Sequence, residues 1–286
     1  MPIHDLSYQH WQGKRHDRPL ALVLARAQVR AVLQRRIVRF LLLVSIGFTL
    51  AWGGMIYVET HVVRAGPLAR IAGIVTVDDQ SFRNFLSRQR LVHLLLCLAA
   101  ADLIALDRRH RALQLYLSRP LRARDYVLAK AIAMAVPLSL ATWVPAFLLI
   151  LVKCILRGDV RWLAAFPWLP ASILGYSVAL VVPLTLLTLA ISSLSRSPRS
   201  AGATVFGALA LSGAIGQAFA TLTHHSAWQL LSIHSNLDQV ASLMFGNAAP
   251  LDVPRPAAAL VLLAVCGVAV EVLRRRIRAV DVIGGA

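Results

Sequence analysis

The chain has 286 residues, 58% of them hydrophobic and only 15% charged, with a net charge of +17. A soluble globular domain runs nearer a quarter charged, so this composition excludes a water-soluble enzyme and points to a polytopic membrane protein. The basic excess flanks apolar runs, which favours anionic lipid headgroups over nucleic acid as its counterpart.

Residues 1–36 form an N-terminal cytoplasmic segment in this reading. Residues 1–18 are polar, with Tyr8 and Trp11 as the aromatic exceptions. From Pro19 an amphipathic helix is expected, Leu20, Leu24, Ala27 and Ala31 on one face and Arg26, Arg30 and Gln34 on another. Such a helix lies along the membrane interface. Span one follows at 37–58 and is expected to act as its own insertion signal, because dozens of polar residues precede it. Residues 59–85 read as a loop carrying Gly66-Pro67 and Asp78-Asp79, a solvated turn rather than a metal site.

Span two is placed at 82–106. This start puts Arg83, Arg88 and Arg90 in its outer part; Arg83 and Arg90, seven apart, share a face. Asp102 lies near the other end of this span, where an ionisable group should face protein or water rather than lipid. Span three is placed at 127–152 with Pro137 and Pro145 inside, and 153–169 as a short loop with Trp162 and Trp168 as interface anchors. Spans four (170–194), five (201–222) and six (257–273) follow, span six stopped by Arg274, Arg275 and Arg276 at the head of a basic tail, 274–286. Span five is rich in small residues: Ala210, Ala214 and Ala218 repeat every four, with Gly207, Gly213 and Gly216 between them, a surface that lets helices approach closely. Residues 227–245 are amphipathic but too polar to cross, and read as a helix or helix pair dipping into the outer interface. Cys97, Cys154 and Cys266 sit in or beside apolar runs without metal-type spacing.

Between spans two and three lies Asp107-Arg-Arg-His-Arg-Ala-Leu-Gln-Leu-Tyr-Leu-Ser-Arg-Pro, followed by Tyr126 and Lys130. Six arginines fall between Arg108 and Arg124, yet Leu113, Leu115, Tyr116 and Leu117 make the middle apolar. That mixture suits a short amphipathic helix pressed on a partner, ended by Pro120, because proline disfavours helix at the residue before it. The order of an acidic residue, basic residues, a leucine-rich helix, Ser-x-Pro, and then an aromatic and a lysine opening the next span resembles the first cytoplasmic loop of the six-span ABC exporter permeases, the ABC type 2 family.

The resemblance implies an all-α, six-span bundle (37–273) with an N-terminal elbow helix and a cytoplasmic coupling helix between spans two and three. It implies ATPase coupling through Asp107, Arg109, Leu113, Leu117, Pro120, Tyr126 and Lys130. It further implies a second permease copy or paralogue packed through Gly207, Ala210 and Ala214 of span five, and a pathway in which Arg83, Arg90 and Asp102 are candidates. Its partners would be an ABC ATPase subunit and membrane lipids, with no nucleic acid; ATP and Mg would bind in the ATPase and no cofactor in this chain.

With both termini inside, the inner segments hold 21 of the 30 basic residues and the outer segments 9. That bias supports cytoplasmic termini, in what would be a bacterial inner membrane. No phosphate loop G-x-x-x-x-G-K-[ST] occurs, so ATP hydrolysis is expected in a separate chain, and no catalytic residues are assigned. His224, His225 and His234 could converge as metal ligands, but two adjacent histidines on a helix point apart, and no metal site is assigned. Two other classes are an enzyme acting on lipid-linked substrates, with Asp102 or the histidines as acid–base groups, and a proton-coupled secondary transporter, whose folds carry more intramembrane carboxylates or visible half-repeats.

Overall fold

The computed structural model describes residues 20–63, 79–110, 123–158 and 161–283, and among them every regular element is helical. Six helices are long and apolar enough to cross a membrane: Arg36–His61, Ser81–Arg109, Ala123–Arg157, Leu169–Leu194, Pro198–Thr223 and Pro256–Ile277. Helices are the expected answer, since lipid offers no partner to a bare peptide group. The chain is the all-helical six-span bundle that its hydropathy pattern predicts. Span four is its axis: 67% of its apolar window is buried, against 22% for spans one, five and six. It packs on spans three and six and on the outer helix Ile233–Met244.

Two spans are interrupted, each where the backbone loses a partner. Span three breaks at Thr142, between helices Ala123–Ala141 and Trp143–Arg157. Pro145, three residues on, cannot donate to the preceding turn. The Thr142 amide bonds the Ser139 carbonyl, and its hydroxyl donates to the Leu138 carbonyl at 2.9 Å. The second helix runs on to Arg157 and stops at Gly158, whose φ of 66° favours glycine. Residues 153–157 therefore belong to the span and not to the loop expected there. Span two breaks between Ala100 and Ala105. The Ser192 hydroxyl of span four accepts both freed amides, Ile104 at 3.0 Å and Ala105 at 3.1 Å.

The N-terminal helix Leu20–Leu33 packs along span three. Ala25 and Val32 are its buried residues, while Ala27 and Ala31 stay exposed. Gln28, between Ala25 and Val32, reaches into the bundle to accept from Lys130. Span five opens with a capping box: Pro198 stands at the first helical position, and Ser197 and Ser200 bond each other's backbone. At the opposite end of the bundle, a 3-10 turn Ser226–Leu231 and the helix Ile233–Met244 cover spans four, five and six. Gln239 pins the return strand of chain, its amide donating to the carbonyls of Leu251 and Val253.

Candidate functional site

Asp107 ends span two, and Tyr126 and Lys130 open span three. The last two are four residues apart, so one helical face carries both. The carboxylate sits between them. Tyr126 donates its hydroxyl to Asp107 Oδ2 at 2.7 Å, and Lys130 Nζ lies 2.7 Å from the same oxygen. Lys130 also donates to Gln28 Oε1 at 3.0 Å and lies over the Tyr126 ring. Only 2% of the Lys130 side chain is exposed, against 14% for Asp107. One turn earlier, Arg35 donates to Asp102 Oδ1 at 2.6 Å and to the Ala99 carbonyl at 2.7 Å. Arg108 donates to the Ser193 carbonyl. These contacts tie the N-terminal helix and spans two, three and four into one polar plate at the end of the bundle.

That plate holds three of the expected coupling residues, Asp107, Tyr126 and Lys130. Arg109 is exposed at the end of span two. Leu113, Leu117 and Pro120 lie outside the described residues. Gln28, Arg35 and Ser192 join the plate although no sequence signal marked them: their partners are 64 to 102 positions away.

A second polar group lies at the other end. Arg90 grips Asp238 of the outer helix with one nitrogen 2.7 Å and 2.6 Å from its two oxygens. Ser87 adds a long contact of 3.5 Å. Arg90 remains 44% exposed. Arg83 sits on the same face of span two and acts on the same carboxylate, while Arg88 turns to the ring of Trp52. Asp102 is thus at the opposite end of span two from Arg83 and Arg90, and the three do not form one cluster. Burial pushes the Asp238 carboxyl above its ordinary value, with Arg90 and Arg83 opposing. Burial, and then the Arg90 cation, hold the His234 imidazole below its ordinary value.

The two shifts have opposite consequences. Below pH 6.5 the unfolded chain binds a proton at His234 that the folded chain declines, so stability falls as the medium is acidified. Asp238 acts in the other sense: the folded chain takes up its proton first, so acidification towards 3.8 adds stability. Between about pH 7.5 and about pH 5.5 the native protein should lose melting temperature, and His234→Gln should flatten that slope. Identical slopes would show that His234 binds its proton equally well in the folded and unfolded chain. His224 and His225 stand apart, both exposed at the end of span five.

A third group was not foreseen. Glu59 lies in the last turn of span one, and Lys153 and Arg157 end span three. Lys153 Nζ lies 3.5 Å from one Glu59 oxygen and Arg157 3.6 Å from the other. Both cations also lie over the Trp162 ring, at 4.4 Å and 5.9 Å. Lys153 is wholly buried. Trp162, expected at the membrane interface, is instead 9% exposed and stacked on Phe82.

In span five, Gly207 and Ala210 are half-buried and Ala214 is exposed. Gly216 serves the chain itself: a Cβ there would come 2.7 Å from the Trp228 carbonyl oxygen. Comparison with known families matches residues 67–272 to the profile described as ABC-2 family transporter protein. Comparison with curated proteins finds no match.

Proposed function

The chain belongs to the ABC-2 family of transporter proteins, and on that premise we propose that two copies, or one copy with a paralogue, form an export pathway driven by a separate ATPase subunit. Its standing as a multi-pass transport subunit follows from the family and the six spans. Coupling is the finer step, and its support is the polar plate. Residues 111–122 start and finish at one buried ion pair, since Asp107 precedes them and Tyr126 and Lys130 follow. A force applied between those anchors is delivered to three spans at once.

In this reading Leu113 and Leu117 enter the ATPase surface, Arg109 contacts its rim, and Pro120 ends the docking helix. ATP and Mg are bound in the ATPase, and this chain carries no cofactor. The plate faces the cytoplasm of a bacterial cell, as the bias of basic residues requires, and both termini lie on that side. Gly207, Ala210 and Ala214 line the contact between permease copies. Arg83, Arg90 and Asp102 are the charged groups proposed for the pathway, with Arg83 and Arg90 holding an anionic or amphiphilic cargo.

Leu117→Cys in the co-expressed complex should crosslink to the ATPase subunit through a short thiol–amine reagent. An intact complex in which neither Leu113→Cys nor Leu117→Cys crosslinks would remove the coupling assignment.

A further inference from the structure

A groove of about 660 Å³ runs between spans three, four and six at the plate end of the bundle. Its walls include Leu128 and Ala131 of span three, Leu186 of span four and Val270 of span six; Arg124 and Arg274 line it too. The volume falls within the roughly 300 to 1,000 Å³ that accommodates a ligand-sized molecule. Leu128 and Val270 are 53% and 49% exposed, so the groove opens sideways from the bundle.

We propose that this groove is a binding site for one anionic phospholipid, its acyl chain along Leu128, Ala131, Leu186 and Val270 and its phosphate between Arg124 and Arg274. The walls alone cannot select a ligand, because in a bilayer every lipid tail is as apolar as leucine. Selection must come from the charged end. Arg124 lies in the first turn of span three and Arg274 near the end of span six, both exposed. Neither forms an ion pair within the described residues, whereas the neighbouring Arg275 is held by Glu271 at 2.6 Å. Two guanidinium groups that line an apolar slot, without an ion pair among the described residues, match a phosphate on an acyl chain. A guanidinium fork meets phosphate oxygens in pairs, which a zwitterionic headgroup satisfies less well because it brings its own cation. The inference rests on the chain spanning a membrane and not on the coupling role, so either can fail alone.

Native mass spectrometry of the full-length protein, with dioleoyl phosphatidylglycerol or dioleoyl phosphatidylcholine added, provides the test. The two probes share acyl chains and differ in headgroup charge. One phosphatidylglycerol should be retained in clear preference. Arg124→Gln with Arg274→Gln should weaken its retention about thirtyfold, the equivalent of roughly 1 kcal/mol per arginine. Arg275→Gln with Arg276→Gln, which removes equal charge outside the groove, should change it only a few-fold. Ala131→Trp, which fills the slot, should displace both lipids. Equal retention of the two probes by the native protein would overturn the proposal. So would an equal loss in the two arginine pairs, which would indicate diffuse attraction. Retention unchanged by Ala131→Trp would place the lipid elsewhere, and no retained lipid at all would overturn the proposal as well.

Discussion

Lys130→Met should destabilise the protein by about 3–5 kcal/mol, the range for removing one partner of a buried ion pair. The cost comes from what is left behind. Asp107 keeps its charge and its Tyr126 hydrogen bond at 2.7 Å but loses the ammonium at the same distance. Gln28 loses its donor, and with it the N-terminal helix loses its deepest polar contact. Asp107→Asn in the Lys130→Met background should recover much of the loss, because the stranded charge is then gone. Tyr126→Phe should cost less, about 1.5–3 kcal/mol, the scale of one hydrogen bond to a charged group. Thermal unfolding of the purified chain reads all three variants against the native protein. If the double variant melts no higher than Lys130→Met, the two charges are not coupled and the plate is held by packing.

Glu59→Gln should cost a similar amount by the opposite route. It leaves two cations, Lys153 and Arg157, facing each other over Trp162 without the carboxylate between them. Removing one partner of a buried ion pair costs about 3–5 kcal/mol of stability. Stacking on the indole returns part of this, since a desolvated cation–π contact contributes roughly 2 kcal/mol. Lys153→Met added to Glu59→Gln should therefore restore stability, and Trp162→Leu should worsen the Glu59→Gln defect more than it harms the native chain. Melting temperatures that add without interaction across this set would show that the cluster is not one unit.

The two clusters differ in how far the sequence announced them. Asp107, Tyr126 and Lys130 sit on either side of one short connection, at spacings that helical geometry turns into a shared face. Apolar length and the flanking charges were equally readable, because each follows from the lack of hydrogen-bond partners in lipid. Glu59 and Lys153 are separated by a whole span and meet only through the packing of spans one and three. Lys153 looked like the end of an apolar run, so residues 153–169 read as loop and Trp162 as an interface anchor. In fact the lysine is neutralised in place, and the helix continues one more turn past it. Asp238 was hidden similarly, in a segment legible only as amphipathic, 148 positions from Arg90. Gly216 shows the reverse failure. A small-residue stripe signals close approach but not to what, and here one of its members admits the Trp228 backbone.

The break in span two has a mechanical meaning. The short segment Ala105–Arg109 is not a rigid continuation of the helix above it. Its first amide is fastened to the Ser192 hydroxyl, as is that of Ile104, and its Arg108 to the Ser193 carbonyl. It behaves as a short crank bolted to span four, with a joint where it meets the rest of span two. In the proposed coupling, a torque entering beside Asp107 would therefore reach the central shaft of the bundle directly, and the Arg90 end of span two through the Leu103–Ala100 and Leu106–Asp102 backbone bonds that cross the joint.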